Sequence, residues 1–299
     1  MSGERSDCRI TSSRRTAART LAVLILFPLT AHRSRLAAQQ PDVQRERAEY
    51  GRWLASAPTS PLAAVALVAV GSGIRVGPAD ADIPLAGFPE HRVIERAGRV
   101  TLEGPEATRP LARGRPATIG RFTFVAAGAA GRTTLTVHAM PPPAGAKAPA
   151  WFAYDPAANL LVRLDPPARA GVVRVLAADG VEVEAAEAGT VTVALGGRRT
   201  TLTVRRMPGA TPEESELELY FRDRSNGRGT YPAGRFVALV PAGEGRYRLD
   251  FNRARNPFCA YSSIYPCPAP WRGNGIAVPV EAGERYSGGG LDPGDMPER

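Results

Sequence analysis

Short β-type segments separated by turn residues dominate the chain from Gly73 onward, and they constrain its fold more than any other feature. Five runs of four to seven residues alternate with turns before His138. Strands of this length and spacing are typical of a small β-sandwich or barrel. The same pattern of short β-type runs continues after residue 150. It includes a hairpin in which Gly196 and Gly197 supply the positive φ of a two-residue turn. The sequence therefore predicts a mainly β protein with two sequential sandwich-like or barrel-like units.

Composition shifts suggest where these units begin and end. Residues 140–149 are Pro-rich and are expected to form a linker between a small β-sandwich at residues 71–139 and a second β domain at residues 150–286. The tail, residues 287–299, is polar and rich in Gly and Pro, which predicts disorder.

Residues 39–70 precede the first β unit and are expected to hold a helix and an apolar segment. The helix is predicted from Asp42, as N-cap, to Ala57. Apolar residues recur on one face at helical spacing, which indicates a helix that packs against the rest of the protein. The face comprises Val43, Tyr50, Trp53, Leu54 and Ala57. The apolar run that follows, residues 61–70, has a period that does not separate a helix from a buried strand.

Residues 1–38 have the pattern of a secretory signal peptide. Arg14, Arg15 and Arg19 precede an apolar stretch that is too short to span a bilayer, and Ala37–Ala38 fits a cleavage site. We therefore expect export to the periplasm or the extracellular space, with no membrane span after cleavage. The alternative is an uncleaved N-terminal anchor. The same segment carries seven Arg and so accounts for more than half of the net charge of +9.

Cleavage would remove Cys8 and leave Cys259 and Cys267. An even number of cysteines in an oxidising compartment favours a disulfide, with free thiols as the alternative. We expect no metal site, because the three histidines lie far away in sequence and two thiolates alone rarely complete a site. No cofactor motif is present. Nucleic-acid binding is not expected either, since no basic cluster is interleaved with aromatic residues.

The stretch from Glu218 to Glu284 concentrates the polar chemistry of the chain. Charged, amide, Tyr and Pro side chains crowd between short β-type runs, and both remaining cysteines lie here. The loop from Asp250 to Ile276 exceeds the usual connection length, and such loops are often functional. The sequence therefore places any site in this stretch.

Residues from Gly71 to about His138 weakly resemble a forkhead-associated domain. The turn Ala81-Asp82-Ile83 matches the family's turn loosely. Pro78 follows Gly77 where that family has Arg, and Pro89-Glu90-His91 stands where it has Ser-Arg-x-His. The resemblance implies a sandwich scaffold. It does not imply phosphothreonine binding, because the anchoring Arg and Ser are absent.

A longer motif resembles the bacterial domain-of-unknown-function family 1684, over roughly Tyr50 to Tyr286. The matching residues are Phe221, Asp223, Gly227, Thr230, Tyr231, Gly234, Arg235, Asp250, Phe251, Asn252, Ala254, Asn256, Pro257, Cys259, Ala260, Tyr261, Cys267, Pro268, Asn274, Ala282, Gly283 and Glu284. Ser225 replaces a Thr of the family pattern and keeps the hydroxyl. Trp271-Arg272-Gly273 departs from the Pro-Pro-Glu found before the Asn. The family is uncharacterised, so the resemblance implies no function.

Three hypotheses for this stretch remain open, and whether the protein is an enzyme stays undecided. The first is a binding module of the cell envelope for a small polar or anionic ligand. The candidate ligand-binding residues are Tyr231, Arg235, Asn252, Arg253, Asn256, Tyr261 and Asn274. The second is a carboxylate-based hydrolase, in which two of Asp223, Asp250 and Glu284 act as general acid and base. The third is a structural envelope protein in which Arg235 pairs with Asp223 or Asp250 and the amides satisfy loop backbone.

Overall fold

The computed structural model describes residues 30–142, 148–209 and 215–286, with side chains from residue 42 onward. The protein is mainly β, with three sheets and one N-terminal helix, as the sequence predicts. Most of the predicted signal peptide, half of the predicted linker and the predicted disordered tail lie outside the described residues.

Helix α1 spans Thr30–Ser56. The predicted helix is therefore confirmed, but Asp42 lies inside it rather than at an N-cap. Val43 and Leu54 are each 1% exposed and Tyr50 is 8% exposed, so the predicted apolar face packs against the protein. No helix among the described residues is long and apolar enough to cross a membrane.

The first β unit is a sandwich of two sheets. A four-stranded sheet has the order β1-β9-β8-β7, and a five-stranded sheet has the order β3-β2-β4-β5-β6. The ambiguous apolar run contributes β1, which pairs antiparallel with β9. Phe124 and Leu135 from one sheet and Val76, Val93 and Leu102 from the other are all fully buried in one core. The strands are β1 (Ala64–Ala69), β2 (Ile74–Gly77), β3 (Ile83–Pro84), β4 (His91–Arg96), β5 (Arg99–Glu103), β6 (Thr108–Pro110), β7 (Ala117–Ile119), β8 (Phe122–Ala127) and β9 (Thr134–Ala139).

The second β unit is one seven-stranded sheet of order β10-β16-β15-β14-β13-β12-β11. The predicted hairpin joins β12 to β13, with φ of +53° at Gly196 and +73° at Gly197. The strands are β10 (Asn159–Arg163), β11 (Val172–Leu176), β12 (Glu182–Leu195), β13 (Arg198–Met207), β14 (Glu216–Phe221), β15 (Arg235–Pro241) and β16 (Arg246–Asp250).

This sheet curls so that its two ends meet. Asp165, just after β10, exchanges both backbone hydrogen bonds with Thr190 of β12, at 2.8 and 2.9 Å. The approach requires glycine at residue 189, because a Cβ there would lie 2.0 Å from the Asp165 carbonyl oxygen. The unit is therefore barrel-like, and its interior holds aliphatic side chains from six of its strands together with Phe221 and Phe251.

The outer wall of the barrel is covered on one side by α1 and by the long loop after β16. Along β14, Leu217, Leu219 and Phe221 point into the barrel, so Glu218 and Tyr220 point outward because side chains alternate along a strand. On the neighbouring strand β15, Phe236 stacks on Tyr220 with ring centroids 3.9 Å apart. This outer face positions the candidate site.

Candidate functional site

Arg235 is the centre of a fully buried hydrogen-bond network. Its guanidinium donates to Asp223 Oδ2 at 2.9 Å and to the carbonyl oxygens of Val280 at 2.8 Å, Ala282 at 2.5 Å and Glu284 at 3.3 Å. The side chains of Arg235 and Asp223 are both 0% exposed. Burial lowers the pKa of Arg235, and Asp223 opposes that shift. Arg235 therefore ties the C-terminal segment to the barrel and is not available to a ligand.

The turn that follows β14 is built around Asp223. Its Oδ1 accepts hydrogen bonds from the Ser225 backbone N–H at 2.7 Å, from the Ser225 hydroxyl and from the Val280 N–H at 3.1 Å. Because Oδ2 accepts from Arg235, both carboxylate oxygens are occupied. Asp223 is therefore a structural carboxylate.

The side-chain amides of Asn252 and Asn274 each bind a backbone segment with two hydrogen bonds. Asn252 accepts from the Asp155 N–H at 2.8 Å and donates to its carbonyl at 2.7 Å. Asn274 does the same with Thr203, at 2.7 and 2.9 Å. Asp250 caps the short turn after β16 through the Asn252 N–H at 3.0 Å. These amides hold strands and loops together rather than facing a cavity.

Glu284 is a buried carboxylate linked to α1 through two phenols. Its Oε2 accepts from the Asn256 N–H at 2.9 Å, and Oε1 accepts from the Tyr261 hydroxyl. The Tyr50 hydroxyl of α1 donates to Tyr261 at 3.2 Å. Burial raises the pKa of Glu284 to about 7. This carboxylate is 1% exposed, and the phenols separate it from solvent.

The raised pKa of Glu284 predicts how the free energy of unfolding changes with pH. Because its pKa is raised above the ordinary value of 4.5, the folded state retains a proton that the unfolded chain releases. This stabilisation is fully present below pH 4.5 and is lost as pH rises through about 7, by roughly 3 kcal/mol for this group. We expect Glu284→Gln to reduce the fall of the unfolding free energy between pH 5 and 8, measured by urea denaturation. The exposed control Glu244→Gln should keep the wild-type slope, and an unchanged slope in Glu284→Gln would contradict the assignment.

The two cysteines lie beside the Tyr231 ring. Its hydroxyl is 3.3 Å from the Cys259 sulfur and 3.2 Å from the Cys267 sulfur. Both thiols are free in the described part of the chain, so the predicted disulfide is not formed here. A hydrogen bond from Cys259 lowers the pKa of Cys267 to about 6, and the same bond raises the pKa of Cys259. No group of three or more potential metal ligands occurs among the described residues.

A cavity of about 640 Å³ lies between α1, strands β14 and β15, and the loop after β16. Aromatic rings from three elements line it, namely Tyr50 and Trp53 of α1, Phe236 of β15 and Phe258 of the loop. Charged and amide side chains complete the wall. They are Glu46, Glu49, Glu216, Glu218, Arg253, Arg255 and Asn256.

Salt bridges and backbone hydrogen bonds hold α1 over this cavity. Arg47 donates to the carbonyl oxygens of Phe152 at 2.8 Å and Asn252 at 2.9 Å. Glu46 pairs with Arg253 at 2.7 Å, and Arg253 also contacts Asp250 at 3.3 Å. The predicted ligand contact Arg253 therefore lines the cavity but is already paired on both sides.

Glu218 and Arg255 in the cavity wall have no ion-pair partner within the described residues. The Glu218 side chain makes no hydrogen bond with them, and burial, followed by repulsion from Glu216 and Asp179, raises its pKa to about 7. Arg255 lies with its guanidinium carbon 4.2 Å from the centroid of the Tyr50 ring. The side chain of Asn256 is enclosed instead, with its Nδ2 donating to the Arg285 carbonyl oxygen at 3.3 Å and its Oδ1 fully buried. Glu218 and Arg255 are therefore free to meet a ligand.

The structure divides the predicted site residues into two sets. Arg253 and Asn256 line the cavity, whereas the other candidates lie in the surrounding network. The second set is Asp223, Tyr231, Arg235, Asp250, Asn252, Tyr261, Asn274 and Glu284. Sequence reasoning missed Trp53, Glu218 and Arg255. The available signals were the Tyr50–Trp53 pair at helical spacing, interpreted as packing, and a Glu on the outward face of a β run.

A comparison with protein-family models finds a match in the C-terminal part of the chain. Residues 147–285 match the model of the family described as Protein of unknown function (DUF1684). The match begins nearly a hundred residues after Tyr50, where the sequence resemblance was expected to begin. The resemblance of the first sandwich to a forkhead-associated domain is not confirmed.

One solved structure with a similar chain is the solution NMR structure of an uncharacterised protein from Haloarcula marismortui. It is 29% identical, with a TM-score of 0.41, over 46% of this chain and 76% of that chain. No curated protein matches the chain.

Proposed function

We propose that the protein is a binding module for a small polar ligand, which it holds in the cavity between α1 and the outer wall of the barrel. The observation that carries the proposal is the cavity itself, whose wall combines the rings of Tyr50, Trp53, Phe236 and Phe258 with Glu218 and Arg255. Neither charged side chain has an ion-pair partner among the described residues, so both are available to a ligand. Ligand sites are typically apolar pockets with a few such polar groups. A volume of about 640 Å³ falls within the ordinary range for small-molecule sites.

The polar motif supports this cavity and does not itself form the ligand site. Arg235 and Asp223 hold the C-terminal segment, and Asn252 places the loop that carries Arg253 and Asn256. Glu284 positions Asn256 through its backbone N–H. The hydrolase hypothesis gains no support from this arrangement, because Asp223, Asp250 and Glu284 all act as internal hydrogen-bond acceptors and none lines the cavity.

We further propose that this module acts outside the cytoplasm and that Cys259 and Cys267 can form a disulfide there. The signal-like residues 1–38 support export, and cleavage after Ala38 would leave the cavity-lining part of α1 in place. Both sulfurs lie within 3.3 Å of one hydroxyl, which places them near each other. Thiol titration of protein isolated from the cell envelope tests both ideas, and two free thiols there would contradict the disulfide.

A ligand screen with a cavity variant tests the binding proposal. Monosaccharides, amino acids, organic amines and carboxylates would be added to the full chain, and thermal unfolding would be followed. A ligand at about 100 times its Kd should raise stability by about 2.7 kcal/mol and Tm by several degrees. Trp53→Ala should remove the shift, because this ring forms part of the cavity wall, whereas the control Leu161→Ala on β10 should keep it. A panel without any shift, or a shift that survives in Trp53→Ala, would contradict the proposal.

A further inference from the structure

We infer that the ligand of this cavity carries a cationic amine, which the Glu218 carboxylate binds. The inference rests on the proposed binding function and specifies the chemistry of the same cavity. It also revises the expectation of an anionic ligand.

The first observation is the position of Glu218 on the outer wall of the barrel. It projects from β14 on the same face as Tyr220 and lies opposite the exposed Ala238 of β15. Its partner on β13 is Arg205, whose guanidinium carbon lies 4.5 Å from the centroid of the Trp271 ring rather than in an ion pair with Glu218. The carboxylate thus lines the cavity without an ion-pair partner among the described residues.

The second observation is the charge left over in the wall after its internal pairs are removed. Glu46 and Arg253 neutralise each other at 2.7 Å, and Glu49 lies 4.0 Å from Arg45. Glu216 and Glu218 remain on the negative side, and Arg255 remains on the positive side. Arg255 stacks on the Tyr50 ring and keeps its positive charge. The two carboxylates at β14 outnumber this one guanidinium, so the unpaired charge of the wall is net negative on the β14 side.

The hydrogen-bonding chemistry of Glu218 selects the ligand group. A carboxylate accepts hydrogen bonds, and an ammonium group has several donors and no acceptor, so the two are complementary. A ligand carboxylate or phosphate placed against Glu218 would instead be repelled.

The aromatic residues define the rest of the ligand. Trp53, Phe236 and Phe258 line the same cavity and offer an apolar surface for a ring or a short aliphatic body. A cation placed over the face of an aromatic ring gains additional attraction, strongest for Trp. The matching class is a small organic amine with an apolar body.

This chemistry predicts binding that strengthens as pH rises. The pKa of Glu218 is about 7, raised by burial and by Glu216 and Asp179, so its charge appears between pH 6 and 8. The amine remains protonated over that range, and Glu218 is the carboxylate of the cavity wall that becomes charged. Glu284, which does not line the cavity, titrates in the same range. Other charged groups that face this region are Glu46, Glu49, Arg205, Arg253 and Arg255.

Calorimetric titrations with three matched probes test the inference on the full chain. Benzylamine, benzyl alcohol and benzoate share one ring and differ in charge. At pH 8 we expect benzylamine to bind about tenfold or more tightly than benzyl alcohol, and benzoate to bind most weakly. Lowering the pH to 5.5 should weaken the binding of benzylamine by a similar factor and leave the binding of benzyl alcohol unchanged.

The variant Glu218→Gln separates the charge from the cavity. This variant should bind benzylamine about tenfold more weakly than the wild type, with no dependence on pH, and should bind benzyl alcohol with unchanged affinity. The exposed control Glu244→Gln should bind all three probes like the wild type. If benzyl alcohol or benzoate binds as tightly as benzylamine and Trp53→Ala removes that binding, the cavity is a site and the amine inference is wrong. If none of the three probes binds, the amine inference is also wrong, and the ligand screen then decides the proposed function separately.

Discussion

Replacing Arg235 by Met is expected to destabilise the barrel-like unit by about 4 kcal/mol, which is a large share of the stability of a typical domain. The substitution leaves the fully buried Asp223 carboxylate without its counter-charge. It also removes the donor from the carbonyl oxygens of Val280, Ala282 and Glu284. Met fills much of the volume, so the loss reports on the hydrogen bonds and the charge rather than on a cavity.

Urea denaturation followed by tryptophan fluorescence measures this loss selectively. All three Trp residues contribute, because Trp151 and Trp271 lie in the second β unit and Trp53 packs against it from α1. The matched control is Arg246→Met in the same β unit, which breaks an ion pair with Glu244 whose Arg and Glu side chains are 44% and 80% exposed. Such surface pairs contribute about 0 to 1 kcal/mol. If the two variants unfolded within 1 kcal/mol of each other, Arg235 would not hold the fold as described.

Replacing Gly283 by Ala is expected to lower the free energy of unfolding by about 3 kcal/mol, which is the second large effect. The residue has φ of +81°, and a Cβ there would lie 2.6 Å from the Phe251 carbonyl oxygen and 2.7 Å from that of Ala254. The backbone of residues 251–254 would have to move. That segment leads into Arg255 and Asn256, so the cavity wall would move with it.

Gly227→Ala is the control for Gly283→Ala within the same motif. Its φ is +74°, close to that of Gly283, but a Cβ there would meet nothing within 4 Å. The free energy of unfolding of the control should fall by only about 1 kcal/mol, because an Ala in the left-handed region is the only unfavourable change. The difference between the two variants in urea denaturation isolates the steric clash. Equal losses would show that residues 251 and 254 are not held where the structure places them.

The mainly β fold could be predicted because its signals are local. Alternating residues and turn glycines such as Gly196 and Gly197 set strands and a hairpin without knowledge of distant contacts. The residue at which a helix begins is harder to predict. Helix α1 already includes the residues before Asp42, although Asp is a good N-cap. The curl of the second sheet depends on Gly189 meeting Asp165, a pairing that no local pattern reveals.

The candidate site could be predicted only in part, for a related reason. The residue types of the motif are shared by catalytic sites and by buried networks, and only the three-dimensional partners distinguish the two. Arg235 proved to be internal because three carbonyl oxygens and Asp223 surround it. Trp53 and Glu218 line one cavity because α1 lies across it from β14, although the two segments are more than 150 residues apart in sequence.

The most direct test of the account is an NMR titration of the ¹⁵N-labelled chain with benzylamine at pH 8. The central claim to be tested is that the cavity under α1 binds the ligand, whereas the surrounding polar motif stabilises the fold. We predict that amide shifts will change in four segments around the cavity, residues 46–53, 216–218, 236–240 and 253–258. Changes confined to residues 223–231 and 274–284, or located in the first β-sandwich, would contradict the claim.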